Sequence, residues 1–142
     1  MRKIWTNGCF DVLHIGHIKL LEFAKSQGDY LIVGIDSDER VKKSKGPDRP
    51  INCQRDRCEF LRAISVVDEV VVFDSSEGLS NAIKENGINL IVIGDDYVGK
   101  DVIGSEHSEV LFFEKIQGKS SSILISKTLE GSEYIEEKNS SG

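Results

Sequence analysis

The sequence has 142 residues, which fits one domain around one core and is too short for two ordinary ones. Hydrophobic residues make up 39% and charged residues 30%, an ordinary soluble mix whose longest apolar runs are strand-length, so no membrane span is expected. The net charge of −6 argues against a broad nucleic-acid-binding surface and requires any anionic substrate to be held by a local cluster of positive groups.

The apolar pattern alternates between strand-like and helix-like segments. Residues 4–6 read as a short strand ending at Asn7-Gly8. Ile18, Leu20, Leu21 and Ala24 recur at helical spacing within 16–27, and Gly28-Asp29 ends that helix. Residues 30–35 form a continuous apolar run, as expected of a central parallel strand covered on both faces. From Asp36 to Asn52 the chain turns polar, with Lys42, Lys43, Lys45 and Arg49 among two prolines; a short helical piece is expected near 38–43, then a loop. A helix is expected over 54–65, a strand over 69–73, a helix over 79–86 ended by Gly87, and strands over 89–93 and 109–113. Residues 121–129 read as a last helix. The domain is taken as residues 1–130, and residues 131–142, which are polar, as a disordered or loosely docked tail. Strands separated by helical patterns imply βαβ units, hence a Rossmann-like doubly wound α/β domain with a five-stranded parallel sheet. Ligands of such sheets bind at the carboxyl ends of the strands.

The sharpest local feature follows the first strand and opens the first helix: Asn7-Gly8-Cys9-Phe10-Asp11-Val12-Leu13-His14-Ile15-Gly16-His17. Gly16 lets the backbone approach a ligand closely. A helix N-terminus favours negative charge, and two imidazoles beside it add donors, which suits a triphosphate. A His-x-x-His pair also has structural and metal-binding readings, with Asp11 as a third ligand, although no other ligand cluster supports a metal. The three cysteines, Cys9, Cys53 and Cys58, are odd in number and read as free thiols. Nothing at the start of the chain has the apolar stretch of a secretory signal, so a cytoplasmic location is expected.

These residues resemble a known family. Gly8-x-Phe10-Asp11 with His14-x-Gly16-His17 is similar to the signature of the cytidylyltransferase-like nucleotidyltransferases, in which the His-x-Gly-His segment contacts nucleotide phosphates and stabilises the transition state. The stretch from Lys42 through Lys45-Gly46, Arg49-Pro50 and Asn52 resembles the Lys-x-x-Lys-Gly-x-x-Arg-Pro-Val-Asn loop of bacterial heptose-1-phosphate adenylyltransferases. Arg57 falls where that family has an arginine on the following helix. Gly94-Asp95-Asp96-Tyr97 resembles its Gly-Asp turn, and Gly118-Lys119-Ser120-Ser121-Ser122 stands where it has Gly-x-Ser-Thr-Thr. The beginning of the chain and the Gly94 turn look more like glycerol-3-phosphate cytidylyltransferase, but Lys115 stands where that enzyme has an arginine.

The resemblance implies transfer of a nucleotidyl group from ATP or CTP, carried with Mg²⁺, to a sugar or polyol phosphate. His14, His17 and Lys45 are the expected catalytic residues. Gly8, Cys9, Phe10, Asp11, Gly16, Lys42, Arg57, Gly94, Asp95, Asp96, Gly118, Ser120, Ser121 and Ser122 are expected to line the nucleotide and phosphate site. Lys42 and Lys45 are mobile point charges suited to the β- and γ-phosphates; Arg57 is read as a bidentate phosphate clamp; Asp11 orients a histidine or binds metal. Adenylyl transfer to a heptose 1-phosphate is favoured over cytidylyl transfer to glycerol 3-phosphate. No nucleic acid or membrane is expected as a partner, and a homodimer is implied. A different class, a phosphate-ligand module without catalysis, stays open at this stage, with the retained histidine pair against it.

Overall fold

A computed structural model of the chain describes residues 1–94 and 101–113 in full and residues 121–128 and 131–138 as strands. In chain order the elements are β1 (Lys3–Gly8), α1 (Ile15–Ser26), β2 (Tyr30–Asp36), α2 (Asp38–Lys45), α3 (Gln54–Arg62), β3 (Glu69–Phe73), α4 (Ser76–Glu85), β4 (Leu90–Gly94), β5 (Glu109–Phe113), β6 (Ser121–Thr128) and β7 (Gly131–Lys138). They build one sheet in the order β3-β2-β1-β4-β5-β6-β7. The first five strands are parallel, as expected. The order reverses between β1 and β4, which puts the topological switch point at the carboxyl end of β1, where the histidine motif begins.

Burial on both faces explains the near-continuous apolar strands. On one face Ile4, Leu31, Val33 and Ile35 pack with Leu20, Leu21 and Ala24 of α1 and with Cys58 and Leu61 of α3. On the other, Trp5, Ile32, Ile91 and Ile93 pack with Leu79 and Ile83 of α4. Each such large side chain, fully buried, contributes roughly 1.5–3 kcal/mol. Trp5 reaches across to β2, where a Cβ on Gly34 would stand 2.3 Å from its ring. Only glycine fits at that close approach.

The carboxyl-terminal part differs from the reading of the sequence. Residues 121–128, expected as a helix, form β6, which pairs antiparallel with β5 through Phe113↔Ser122 and Phe112↔Ile123. Ile123, Ile125 and Thr128 are β-branched and favour strand over helix, and β5 would otherwise present an open ladder of N–H and C=O groups. Residues 131–138, read as the start of a tail, form β7 against β6, with Thr128↔Gly131 in register. The five-stranded parallel core therefore carries an antiparallel extension at its β5 edge. Among the described residues no helix is long and apolar enough to cross a membrane.

Candidate active site

The histidine motif owes its geometry to helix capping. His14 is the N-cap of α1, in extended backbone. The Gly16 N–H donates to His14 Nδ1 at 3.0 Å, and the His14 N–H donates to His17 Nδ1 at 3.1 Å. This is a reciprocal capping box in which imidazoles replace the usual hydroxyl and carboxylate. A ring nitrogen that accepts cannot carry a proton, so each neutral ring holds its proton on Nε2. The two rings lie 4.0 Å apart between centroids. His14 is exposed and His17 half-buried, the latter 5.5 Å from the ring of Phe10. The helix end thus carries two Nε2–H donors of fixed tautomer at its positive pole. Gly16 supplies a cap donor; its amide is already engaged.

Phe10 has a positive φ of 50°, uncommon for an aromatic residue, and its ring is buried against the core. It turns the chain from β1 towards α1. A Cβ on Gly8 would press on this ring at 3.3 Å. Phe10 and Gly8 therefore shape the loop rather than offer side chains to a ligand.

Asp11 does something that the sequence did not predict. Its two carboxylate oxygens accept the backbone N–H groups of Ile51 and Asn52, each at 2.7 Å, and Asn52 Nδ2 donates back to the Asp11 carbonyl at 2.6 Å. Arg49 stands 3.8 Å away. The residue clasps the lysine loop to the histidine loop. Burial alone would raise its pKa, but the two amides and the charges of Arg57 and Arg49 outweigh it and hold it below the usual value. A folded pKa below the unfolded one means stabilisation that is full above the unfolded value, near 3.8, and lost as pH falls through the folded one. Asp11→Asn is expected to cost about 1–3 kcal/mol at neutral pH, because an amide N–H would face a backbone N–H. Urea unfolding of both proteins from pH 7 to pH 3 checks it: the difference should shrink on acidification.

Arg57 is a second correction. It is 0% exposed, and its guanidinium donates to the carbonyls of Asn52 (3.0 Å), Cys9 (2.9 Å) and Asp36 (2.7 Å) and to Asp38 Oδ1 (2.8 Å). With its fork engaged by main-chain carbonyls, it organises the site from beneath and does not clamp phosphate. Cys9 follows β1, Asp36 ends β2 and Asn52 stands just before α3, and the arginine on α3 satisfies a carbonyl of each.

Around this frame lies an open cleft of about 690 Å³ whose lining includes Cys9, Lys43, Ser44, Lys45, Ser75 and Ser76. The lysines sit in the last turn of α2, which Gly46 ends at φ 103°; Lys42, Lys43 and Lys45 are exposed there. The sequence pattern ends this helix near residue 43 and assigns Lys42 and Lys45 to the site; the structure carries the helix on to Lys45 and adds Lys43 to the cleft lining. Burial raises the Cys9 thiol pKa against the lowering charges of Lys45 and Arg57, so it stays a neutral thiol rather than a nucleophile. Arg40 and Asp36, joined at 2.7 Å, were also missed; their i,i+4 spacing on a helix entry was the available signal. Gly94 ends β4 at the same rim. Asp95, Asp96, Gly118 and Ser120 lie outside the described residues, as does Lys115. Ser121 and Ser122 open β6, and only their backbone is described.

A parallel sheet with a histidine-capped helix N-terminus at its switch point, flanked by a lysine cleft, is the arrangement of an α/β protein built to hold a phosphate-bearing ligand. The chain belongs to the cytidylyltransferase-like family, whose model matches residues 5–136. It is 48% identical over 125 residues to the bifunctional protein HldE of Campylobacter fetus, covering 87% of this chain and 27% of that protein. Over 129 residues it is 45% identical to bifunctional protein HldE of a Nitratiruptor species, covering 89% and 27%. The chain thus spans about a quarter of the length of these relatives. The crystal structure of the lipopolysaccharide core biosynthesis protein from Thermoplasma volcanium superposes with a TM-score of 0.61 at 27% identity, over 68% of this chain and 76% of that one.

Proposed function

We propose that this domain transfers AMP from ATP to a sugar 1-phosphate, a heptose 1-phosphate, releasing pyrophosphate and forming an ADP-sugar. The observation that carries the reading is the pair of Nδ1-anchored histidines offering Nε2–H donors at the N-terminus of α1. The lysine loop's resemblance to heptose-1-phosphate adenylyltransferases and the likeness to HldE proteins support the choice of base and acceptor.

In this reading an oxygen of the acceptor phosphate attacks the α-phosphorus of ATP. The Pα–O bond to the β-phosphate breaks, and pyrophosphate leaves with the electron pair. The acceptor phosphate is already a nucleophile, so no covalent enzyme intermediate is needed. Catalysis is then positioning and charge stabilisation. His14 and His17 donate from Nε2 to the α-phosphate and bridging oxygens, and Lys42 and Lys45 balance charge on the departing pyrophosphate. Among the described residues no three His, Cys, Asp or Glu side chains gather as a metal cage, and the Asp11 oxygens already accept two amides. This donor set suits Mg²⁺ brought in on the triphosphate, where it would neutralise phosphate charge. A homodimer in the cytoplasm belongs to the same proposal.

Pyrophosphate release separates the readings. ATP with heptose 1-phosphate should turn over, and CTP with glycerol 3-phosphate should be far slower. The reverse ranking would move the enzyme to cytidylyl transfer. Nucleotide binding without turnover of any pair would make it a binding module.

A further inference from the structure

Three side chains outside the active site bring polar atoms to mutual distances that one small ion would set. Ser80 stands in the middle of α4, and Glu106 and His107 lie on the loop that leads into β5. Ser80 Oγ is 3.1 Å from Glu106 Oε1 and 3.4 Å from His107 Nε2, and Glu106 Oε1 is 3.4 Å from His107 Nε2. We infer that this triangle binds zinc, with His107 Nε2, Glu106 Oε1 and Ser80 Oγ as three ligands and water as the fourth. The inference is independent of the transfer reaction.

Zinc holds four ligands tetrahedrally at about 2.0 Å, which separates any two ligand atoms by about 3.3 Å. The observed 3.1, 3.4 and 3.4 Å bracket that value. An octahedral Mg²⁺ would draw neighbouring ligands to about 2.9 Å, and it prefers oxygen, whereas imidazole suits zinc. Hydrogen bonds alone serve the triangle poorly. The Ser80 hydroxyl has one proton, given to Glu106, and His107 Nε2 has at most one for two partners, both at 3.4 Å, beyond the usual range of roughly 2.7–3.2 Å. With zinc bound, the His107 ring keeps its proton on Nδ1 and gives the Nε2 lone pair, Glu106 ligates as a carboxylate and Ser80 as a neutral hydroxyl. A hydroxyl is the weakest of the three, so the site is expected to hold zinc less tightly than a closed structural site of cysteines and histidines.

The backbone holds the two loop ligands in place. The Ser105 N–H donates to the Val102 carbonyl at 3.1 Å and the His107 N–H to the Gly104 carbonyl at 2.9 Å. Gly104, at φ 93°, lies so close to α4 that a Cβ there would stand 2.5 Å from Ile83 Cδ1. On the other side of the ligands, Ser108 Oγ donates to the Ile88 carbonyl at 2.7 Å. The loop is therefore pinned before and after Glu106 and His107, and the third ligand comes from α4 itself. Side-chain exposures of 29% for His107 and 59% for Glu106 give an ion and its water access. Bound zinc would cross-link α4 to the connection between β4 and β5, and so stabilise the folded chain.

Zinc titration of the metal-stripped whole chain, followed by proton–nitrogen NMR spectra of its three imidazoles, tests this. The His107 signals are assigned by their loss in His107→Ala. The His107 Nε2 resonance should move and reach its end point near about one equivalent of zinc, and magnesium at the same concentration should leave it in place. With that resonance as the readout, the zinc midpoint should rise by about tenfold or more in Glu106→Gln and by about threefold in Ser80→Ala. Zinc should also raise the Tm of the wild type more than that of His107→Ala. A His107 resonance that stays in place while zinc goes to Cys9, Cys53, His14 or His17 would overturn the assignment. So would a midpoint in Glu106→Gln within about twofold of wild type, or an equal rise in Tm with and without His107.

Discussion

His17→Ala should lower kcat by about 10²–10³-fold, the usual effect of removing one preorganised donor to a charge that develops in the transition state. The magnitude follows from the bonding at the start of α1. His17 Nδ1 is fixed by the His14 N–H, so the ring is held before substrate arrives. The same bond makes His17 part of the helix cap, and its loss should cost about 1 kcal/mol of stability. The two effects separate by measurement. Thermal unfolding should fall by a few degrees, while pyrophosphate release falls by orders of magnitude at saturating ATP. His17→Asn keeps a side-chain acceptor near the cap but shortens the donor; it should restore most of the stability and little of the rate. Unchanged turnover in either variant would remove His17 from the chemistry.

The histidine pair was legible in the sequence because its signal is local: a strand end, a glycine and a helix start within eleven residues. The parallel sheet was legible for a similar reason, since strands buried on both faces must be apolar throughout. The roles of Asp11 and Arg57 were not. Asp11 meets its partners 40 and 41 residues further on, and Arg57 meets Cys9 across 48. A charged side chain beside a phosphate motif reads as a ligand contact unless the fold is known, because the demand it meets comes from main-chain groups whose lack of partners only the tertiary structure reveals. The Arg40–Asp36 pair had a local signal in its i,i+4 spacing, but its neighbours Phe73 and Asn7 come from separate strands. Strand β6 escaped for a different reason. Ser120-Ser121-Ser122 before an apolar run imitates a helix N-cap, and an unpaired edge on β5 cannot be seen from composition.

Arg57→Met should destabilise the fold by about 3–5 kcal/mol, because three main-chain carbonyls lose their donor together at about 1–3 kcal/mol each. The substitution keeps much of the volume and removes every donor. The half-buried carbonyls of Cys9, Asp36 and Asn52 then lose this partner, and Asp38 Oδ1 loses its cation. Arg57→Lys is the sharper variant. An ammonium has three donors and no planar fork, too few for three carbonyls and a carboxylate at once, so it should recover part of the stability but not all. Denaturant unfolding measures both. A phosphate clamp predicts the opposite pattern: near-normal stability, with ATP affinity lost in Arg57→Met and largely kept in Arg57→Lys. The structural role predicts that ATP affinity at low temperature, where the folded variant predominates, falls less than stability does. The three carbonyls explain why. They belong to the histidine loop, the end of β2 and the lysine loop, so Arg57 fixes how far the histidines stand from the lysines, and a variant that folds without it should lose kcat before it loses ATP.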